Sequence, residues 1–333
     1  MKLQLNARNL EILPDSANPA AVTVLDARFN RLSSLPHSLA EYRNLRTLRL
    51  SYNLLEELPD ALDTLTKLKV LYLSSNPLRS FPPVLARLPA LEVLHLDQTG
   101  IEEIPSDFQP PALLRLSLSQ NKLKTLPERL FVERSPLRFL SLHQNCLNSL
   151  PASLAMLAAL EQLDLSQNKI ETLPDEFGQL QRLRVLHLQC NCLRSLPREF
   201  GKLAALKRLT LHENQLDALP ESIGELVSLE CLDLSRNKLG TLPESISGWR
   251  SLRRLVLSDN RMQALPSGFS RLQALTHCFL HGNHLSDLPA DRDPAAFLHA
   301  LQVLDCSRNA FPEGWRPPAV YRKARLSGRY RAT

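Results

Sequence analysis

The chain has 333 residues, 44% of them hydrophobic but only ten glycines, and a formal net charge of +6 from 40 basic and 34 acidic side chains. So few glycines in so leucine-heavy a chain argue against loop-rich modules on a flexible tether and favour one elongated unit. Six of the basic residues, Arg316, Arg322, Lys323, Arg325, Arg329 and Arg331, lie in the acid-free segment 316–333, so the other 34 balance the 34 acids and the body carries no general basic field of the kind that attracts nucleic acid or an anionic membrane.

The N-terminal residues Met1-Lys2-Leu3-Gln4-Leu5 run straight into a repeating pattern without an apolar signal core. Arg8 stands where later coils carry asparagine, and nothing precedes Leu3 to cover the leucine face of this first coil. Either Met1 is not the natural start, or a partner or second copy covers that edge.

From there an asparagine recurs at Asn30, Asn53, Asn76, Asn121, Asn145, Asn168, Asn191, Asn214, Asn237, Asn260, Asn283 and Asn309, with Thr99 filling the missing rung, mostly in steps of 23 residues. Around each lies LxxLxLxxNxLxxLP, as in Leu45-Arg46-Thr47-Leu48-Arg49-Leu50-Ser51-Tyr52-Asn53. The LxL core alternates with period two, which predicts a short strand with leucines inward and the intervening side chains outward. Stacked copies form a parallel sheet at about 4.8 Å per rung. The asparagine amide is placed to pair backbone groups of adjacent coils that would otherwise lie buried and unsatisfied, at about 1–3 kcal/mol each. Proline follows at a fixed offset, from Pro14, Pro36 and Pro59 on to Pro289, and ends strand and helix alike.

At the C-terminus, Asn309-Ala310-Phe311-Pro312 brings proline early, after which Trp315, Pro317, Pro318 and Tyr321 are placed to fold over the last coil. The expected organisation is a solenoid over 1–312 and a cap with a basic tail over 313–333. No window reaches 18 uninterrupted apolar residues, and Cys146, Cys190, Cys192, Cys231, Cys278 and Cys306 show neither CxxC nor a terminal cluster. A cytoplasmic protein with reduced thiols is expected. Arginine outnumbers lysine three to one, as in GC-rich genomes, and points to a bacterial source.

The 23-residue unit with its recurrent Leu-Pro, as in Asn168-Lys169-Ile170-Glu171-Thr172-Leu173-Pro174, resembles the Ras-group leucine-rich repeats of Ras-pathway scaffolds, plant intracellular proteins and bacterial cytoplasmic proteins. The resemblance covers roughly residues 3–312. It implies an α/β solenoid, a curved horseshoe of about fourteen coils with a parallel sheet on the concave face and short helical or irregular convex segments. It also implies a non-enzymatic scaffold or adaptor, in intracellular signalling, that binds a protein on the concave face. Some bacterial effectors carry such repeats beside a ubiquitin-ligase domain, but no separate catalytic domain follows here.

Two groups of outward residues are candidates for that recognition. Phe29 and Tyr52 adjoin at the position before asparagine while Arg49 and Tyr72 adjoin in mid-strand; farther along, Arg254, Val256, His277, Phe279 and His281 form a second group. Against both stands the plainer reading of a solvated face. Gln98, Gln120, Gln144 and Gln167 share one repeat position, either as an adaptable polar stripe or as the residue of duplication.

Ser141, Asp164, His187 and Thr210 occupy equivalent strand positions, but neighbours on a concave, solvent-sharing sheet face have no evident oxyanion donors, strained nucleophile turn or lid, so no catalytic residues are assigned. His187, Cys190 and His212 match no standard zinc spacing, and no phosphate-cradling glycine loop occurs, so neither metal nor cofactor is expected. Cys278 and Cys306 replace core leucines and read as small buried hydrophobes; Cys146 and Cys192 read as packing variants. A competing hypothesis is an effector-like or tail-driven binder in which Arg322, Lys323, Arg325, Arg329 and Arg331 grip an anionic surface.

Overall fold

The computed structural model describes residues 1–130, 135–289 and 300–316, and the backbone of 325–326. The chain folds as a leucine-rich-repeat solenoid in two compact units, Met1–Asp164 and Leu165–Thr333. In the first unit, β1 (Lys2–Gln4), β2 (Val24–Asp26), β3 (Thr47–Arg49), β4 (Val70–Tyr72), β5 (Val93–His95), β6 (Arg115–Ser117), β7 (Phe139–Ser141) and β8 (Gln162–Asp164) pair in chain order, every pair parallel. In the second, β9 (Val185–His187), β10 (Arg208–Thr210), β11 (Cys231–Asp233), β12 (Arg254–Val256), β13 (His277–Phe279), β14 (Val303–Asp305) and β15 (Arg325–Leu326) do the same.

From β1 to β14 the middle residue of each strand is leucine, except Cys278 in β13. Leu25, Leu48, Leu71, Leu94 and their successors are buried, and the residues on either side face out. A shift of one residue in any pair would turn the inward residue to solvent and bring an outward one into the core, so the period-two pattern fixes the register.

Proline begins each return arc. Pro151, at φ −70° and ψ 148°, is extended, and its carbonyl accepts the Leu154 N–H at 3.1 Å to start the 3-10 turn Ala152–Met156. Most of these turns run five residues, too short for an α-helix, and they bury one or two large side chains such as Phe177, Phe200, Trp249 and Phe269. Successive turns approach until backbones touch. A Cβ on Gly224 would overlap the Ser245 carbonyl oxygen, which is why this position has no side chain.

The asparagines build the expected ladder. Asn53 accepts the Leu32 N–H at 3.0 Å and donates both to Ala27 O in the coil before at 3.0 Å and to Leu50 O in its own at 2.9 Å. Asn76, Asn191, Asn214, Asn237, Asn260 and Asn283 repeat these three contacts. Thr99 has a single hydroxyl proton, which Leu96 O and Asn121 Oδ1 share, each at 2.9 Å. The N–H of Leu78, which an amide at 99 would receive, bonds Asn76 O instead, and Arg79 turns to φ +62°.

The residue before each ladder position is left-handed. From Ala7 to Arg308 fourteen such residues lie at φ between 53° and 67°, and Gly282 alone among them is glycine. A side chain there costs about 1–2 kcal/mol relative to ordinary φ, so the frame carries this strain in nearly every coil.

Candidate binding surface

Phe29 and Tyr52 both occupy this left-handed position, at φ 56° and 59°. Their rings stack with centroids 4.5 Å apart and planes 12° apart, and each residue is 51% exposed. One rung inward the strand residues Arg49 and Tyr72 pair in register, and Tyr72 meets His95 edge to face at 4.9 Å. The structure therefore joins all four residues of the first sequence candidate, Phe29, Tyr52, Arg49 and Tyr72, on one face of the first unit.

The same face holds residues that had not been singled out. Asp26, 2% exposed, is held from two sides: Arg28 Nε and Nη2 donate to its two oxygens at 2.9 and 2.8 Å, and Arg49 Nη1 reaches Oδ2 at 3.3 Å. Burial pushes its carboxyl pKa up, but the hydrogen bonds and charge of Arg28, with the bond from Arg49, outweigh it and hold the group below its ordinary value. At the other end Asp97 accepts from Ser117 Oγ at 2.5 Å, from the Ser119 N–H at 2.8 Å and from Ser74 Oγ at 3.1 Å. Its carboxylate lies 3.8 Å from His95 Nδ1, and burial pushes the His95 pKa down. Between these ends is an open depression of about 690 Å³ bordered by Arg28, Arg49, Tyr52, Tyr72, His95 and Asp97. Arg28, Ser74 and Asp97 share the column two residues past the strand, and reading that column beside the one at the strand's last residue is the signal that would have found them.

In the second unit Arg254 pairs with His277 and Val256 with Phe279, and the Arg254 guanidinium lies 4.6 Å over the Phe279 ring. His281 is enclosed by Ser258 at 2.9 Å, Asp305 at 3.5 Å and Asp259 at 3.8 Å. The second candidate group is thus assembled too, with its cation already seated on its own aromatic ring. An equivalent pair in the first unit, Arg115 over Phe139 at 4.5 Å, gave no signal in the sequence reading.

Ser141 faces Asp164 in register, and His187 Nδ1 bonds Thr210 Oγ1 at 2.8 Å, while Thr210 donates to Gln189 at 2.6 Å. Cys190 donates to Glu213 at 3.4 Å. Among the described residues no three His, Cys, Asp or Glu side chains converge on a common point. Gln120 donates to Gln144 at 3.0 Å and Gln98 accepts from Ser75 at 2.9 Å, so these members of the glutamine stripe are engaged by neighbouring coils. Trp315 stacks on Phe311 at 3.8 Å and donates to Asp287 at 3.0 Å; Pro317, Pro318, Tyr321 and the side chains of Arg322, Lys323, Arg325, Arg329 and Arg331 lie outside the described residues.

A family model described as leucine-rich repeat region matches residues 116–215 and 183–306, and a second, leucine rich repeat, matches 20–78 and 43–101. Among solved structures the chain is similar to a leucine-rich-repeat protein of Leptospira interrogans, at 31% identity and a TM-score of 0.86 over 98% of this chain and 83% of that one. It is also similar to the ectodomain of the receptor kinase GASSHO1/SCHENGEN3 of Arabidopsis thaliana, in complex with Casparian strip integrity factor 2, at 29% identity and TM-score 0.66 over 87% of this chain and 39% of that one. Against TLR13 in its complex with ssRNA13 the values are 26% and 0.67, over 88% and 48%. This chain spans less than half of each of those two receptor chains. No curated protein matches it in sequence.

Proposed function

The chain belongs to the leucine-rich-repeat family, and from that premise we propose that it is a non-enzymatic scaffold or adaptor that holds a protein partner on the outward face of its strands, chiefly through the first unit. Leucine-rich-repeat chains are in general protein-binding frames rather than enzymes. The observation that carries the reading is the stacked pair Phe29–Tyr52, half-exposed on left-handed backbone beside a charged depression. Exposed aromatic area costs stability and favours a surface kept for contact. The GASSHO1/SCHENGEN3 complex with its protein factor supports the same use of the frame.

TLR13 is solved with an RNA, but here basic and acidic residues balance outside the tail, which favours a protein. The six free cysteines and the Ras-group-like spacing support a cytoplasmic place in intracellular signalling.

Capture from host lysate tests the reading. The variant Phe29→Ser/Arg49→Ala/Tyr72→Ala is expected to melt close to wild type and lose the partner, while Arg254→Ala/Phe279→Ser keeps it. If the first variant retains every captured protein, this surface is not the binding site.

A further inference from the structure

We propose that the depression in the first unit takes an extended partner segment bearing one acidic and one basic side chain on the same face, about 10 Å apart, the acid on Arg49 and the base on Asp97. The inference rests on the function proposed above and names the chemistry of its partner.

Asp26 is one buried carboxylate shared by two guanidinium groups, and Arg28 holds it through both oxygens. Arg49 touches it through a single nitrogen at 3.3 Å and is 37% exposed. One positive charge is therefore left over at this end, on a fork with donors to spare.

Asp97 presents the opposite case. The donors on it are two serine hydroxyls and one backbone N–H, all neutral, and the nearest basic group is His95, which burial disfavours in its charged form. The carboxylate is 24% exposed, and Oδ2 accepts one bond, from Ser74, so it has room for another. A negative charge is left over here.

The two ends lie on the coils of β3 and β5, two rungs or about 9.6 Å apart across the strands, with Asp97 two residues, about 6.6 Å, farther along its coil than Arg49. Tyr72 stands on the coil between them, in register with Arg49 and His95. In a polyproline-II segment every third residue returns to the same face at about 9.3 Å, which covers the two rungs, and long glutamate and arginine side chains reach the remaining offset along the strand. Laid across the strands, such a segment places residues i and i+3 on the charges and its intervening residues over Tyr72. The smaller depression of about 320 Å³ in the second unit offers no such pair, because Arg236 is bonded to Glu213 at 2.5 Å and His281 sits between Asp259 and Asp305.

The test is fluorescence anisotropy with a labelled Gly-Glu-Pro-Pro-Arg-Gly amide. Replacing its Glu or its Arg with Gln, or making the two charges adjacent, is expected to weaken binding about tenfold. On the protein, Arg49→Gln should abolish the dependence on the peptide's Glu alone, and Asp97→Asn the dependence on its Arg alone. Equal affinity for all four peptides, or no binding of the first, overturns the proposal. Should that occur while the aromatic variant still loses the captured partner, the binding face stands and only its charge code is wrong. The peptide series needs only the wild-type chain, so it decides the matter even if Asp97→Asn fails to fold.

Discussion

Tyr52 carries the Phe29 ring against its own at 4.5 Å, while the next residue, Asn53, ties the same turn to the coil before it through Leu32 and Ala27. Two adjacent residues thus divide the work of surface and frame. Tyr52→Gly relieves about 1–2 kcal/mol of left-handed strain and forfeits about 0.5–1.5 kcal/mol of stacking, so stability should change by less than about 1 kcal/mol. Capture of the partner should be lost. A denaturant titration run beside the capture assay separates the two effects.

Asn191→Ala is expected to behave oppositely. It leaves the buried Ile170 N–H without its acceptor, at about 1–3 kcal/mol, and removes one of the two amide donors on each of the Leu165 and Leu188 carbonyls, which keep Asn168 and Asn214. A loss of about 1–3 kcal/mol should appear as a lower urea midpoint. Asn191→Thr should fall between, because Thr99 shows that one hydroxyl satisfies one carbonyl of its coil and makes the coil before it rebond. An alanine variant as stable as wild type would refute the ladder as a source of stability.

Gly224→Ala drives a methyl into the Ser245 carbonyl oxygen, which is backbone and cannot swing away. A loss of about 1–3 kcal/mol is expected, against little change for Gly240→Ala, where a Cβ meets open space. Thermal melts of the two variants make the comparison.

Asp26 titrates below its ordinary value in the folded chain, so the stability it contributes is complete above the unfolded carboxylate pKa, about 4, and is lost as pH falls through the lower folded value. Asp26→Asn should therefore flatten the acid side of the stability profile below about pH 4 and leave its shape near pH 7 alone. Urea midpoints across that range read it directly.

Burial pushes the Cys278 thiol far above its usual pKa, and Cys306 is equally enclosed. Brief alkylation of the native chain at pH 8 should spare both and mark them only after denaturation, as mass spectrometry would show. Early labelling of Cys278 would mean that β13 opens locally.

The frame was legible because each of its elements repeats: inward leucine, amide rung and proline are the same residue at the same offset, and Cys278 and Cys306 could be placed in the core by register alone. The pairings Phe29–Tyr52 and Arg49–Tyr72 were legible for the same reason, since stacking makes a step of 23 residues a step to the neighbour. The charge pattern of the site was not. Asp26 reads as an outward strand residue, and only the side chains of Arg28 and Arg49 folding over it bury it. Asp97 looks like one polar residue among many until its neutral partners are seen. Left-handed backbone at a tyrosine or phenylalanine has no glycine to announce it.

Because each amide in the ladder reaches into two coils, no coil owns a complete set of bonds. A break at a regular rung orphans an N–H on the upstream coil, leaves that coil's carbonyl with one amide donor in place of two, and takes away what held the downstream turn closed. Melting should therefore spread by interfaces rather than by modules, as in a nearest-neighbour array, with Thr99 as a weak seam among the asparagine rungs.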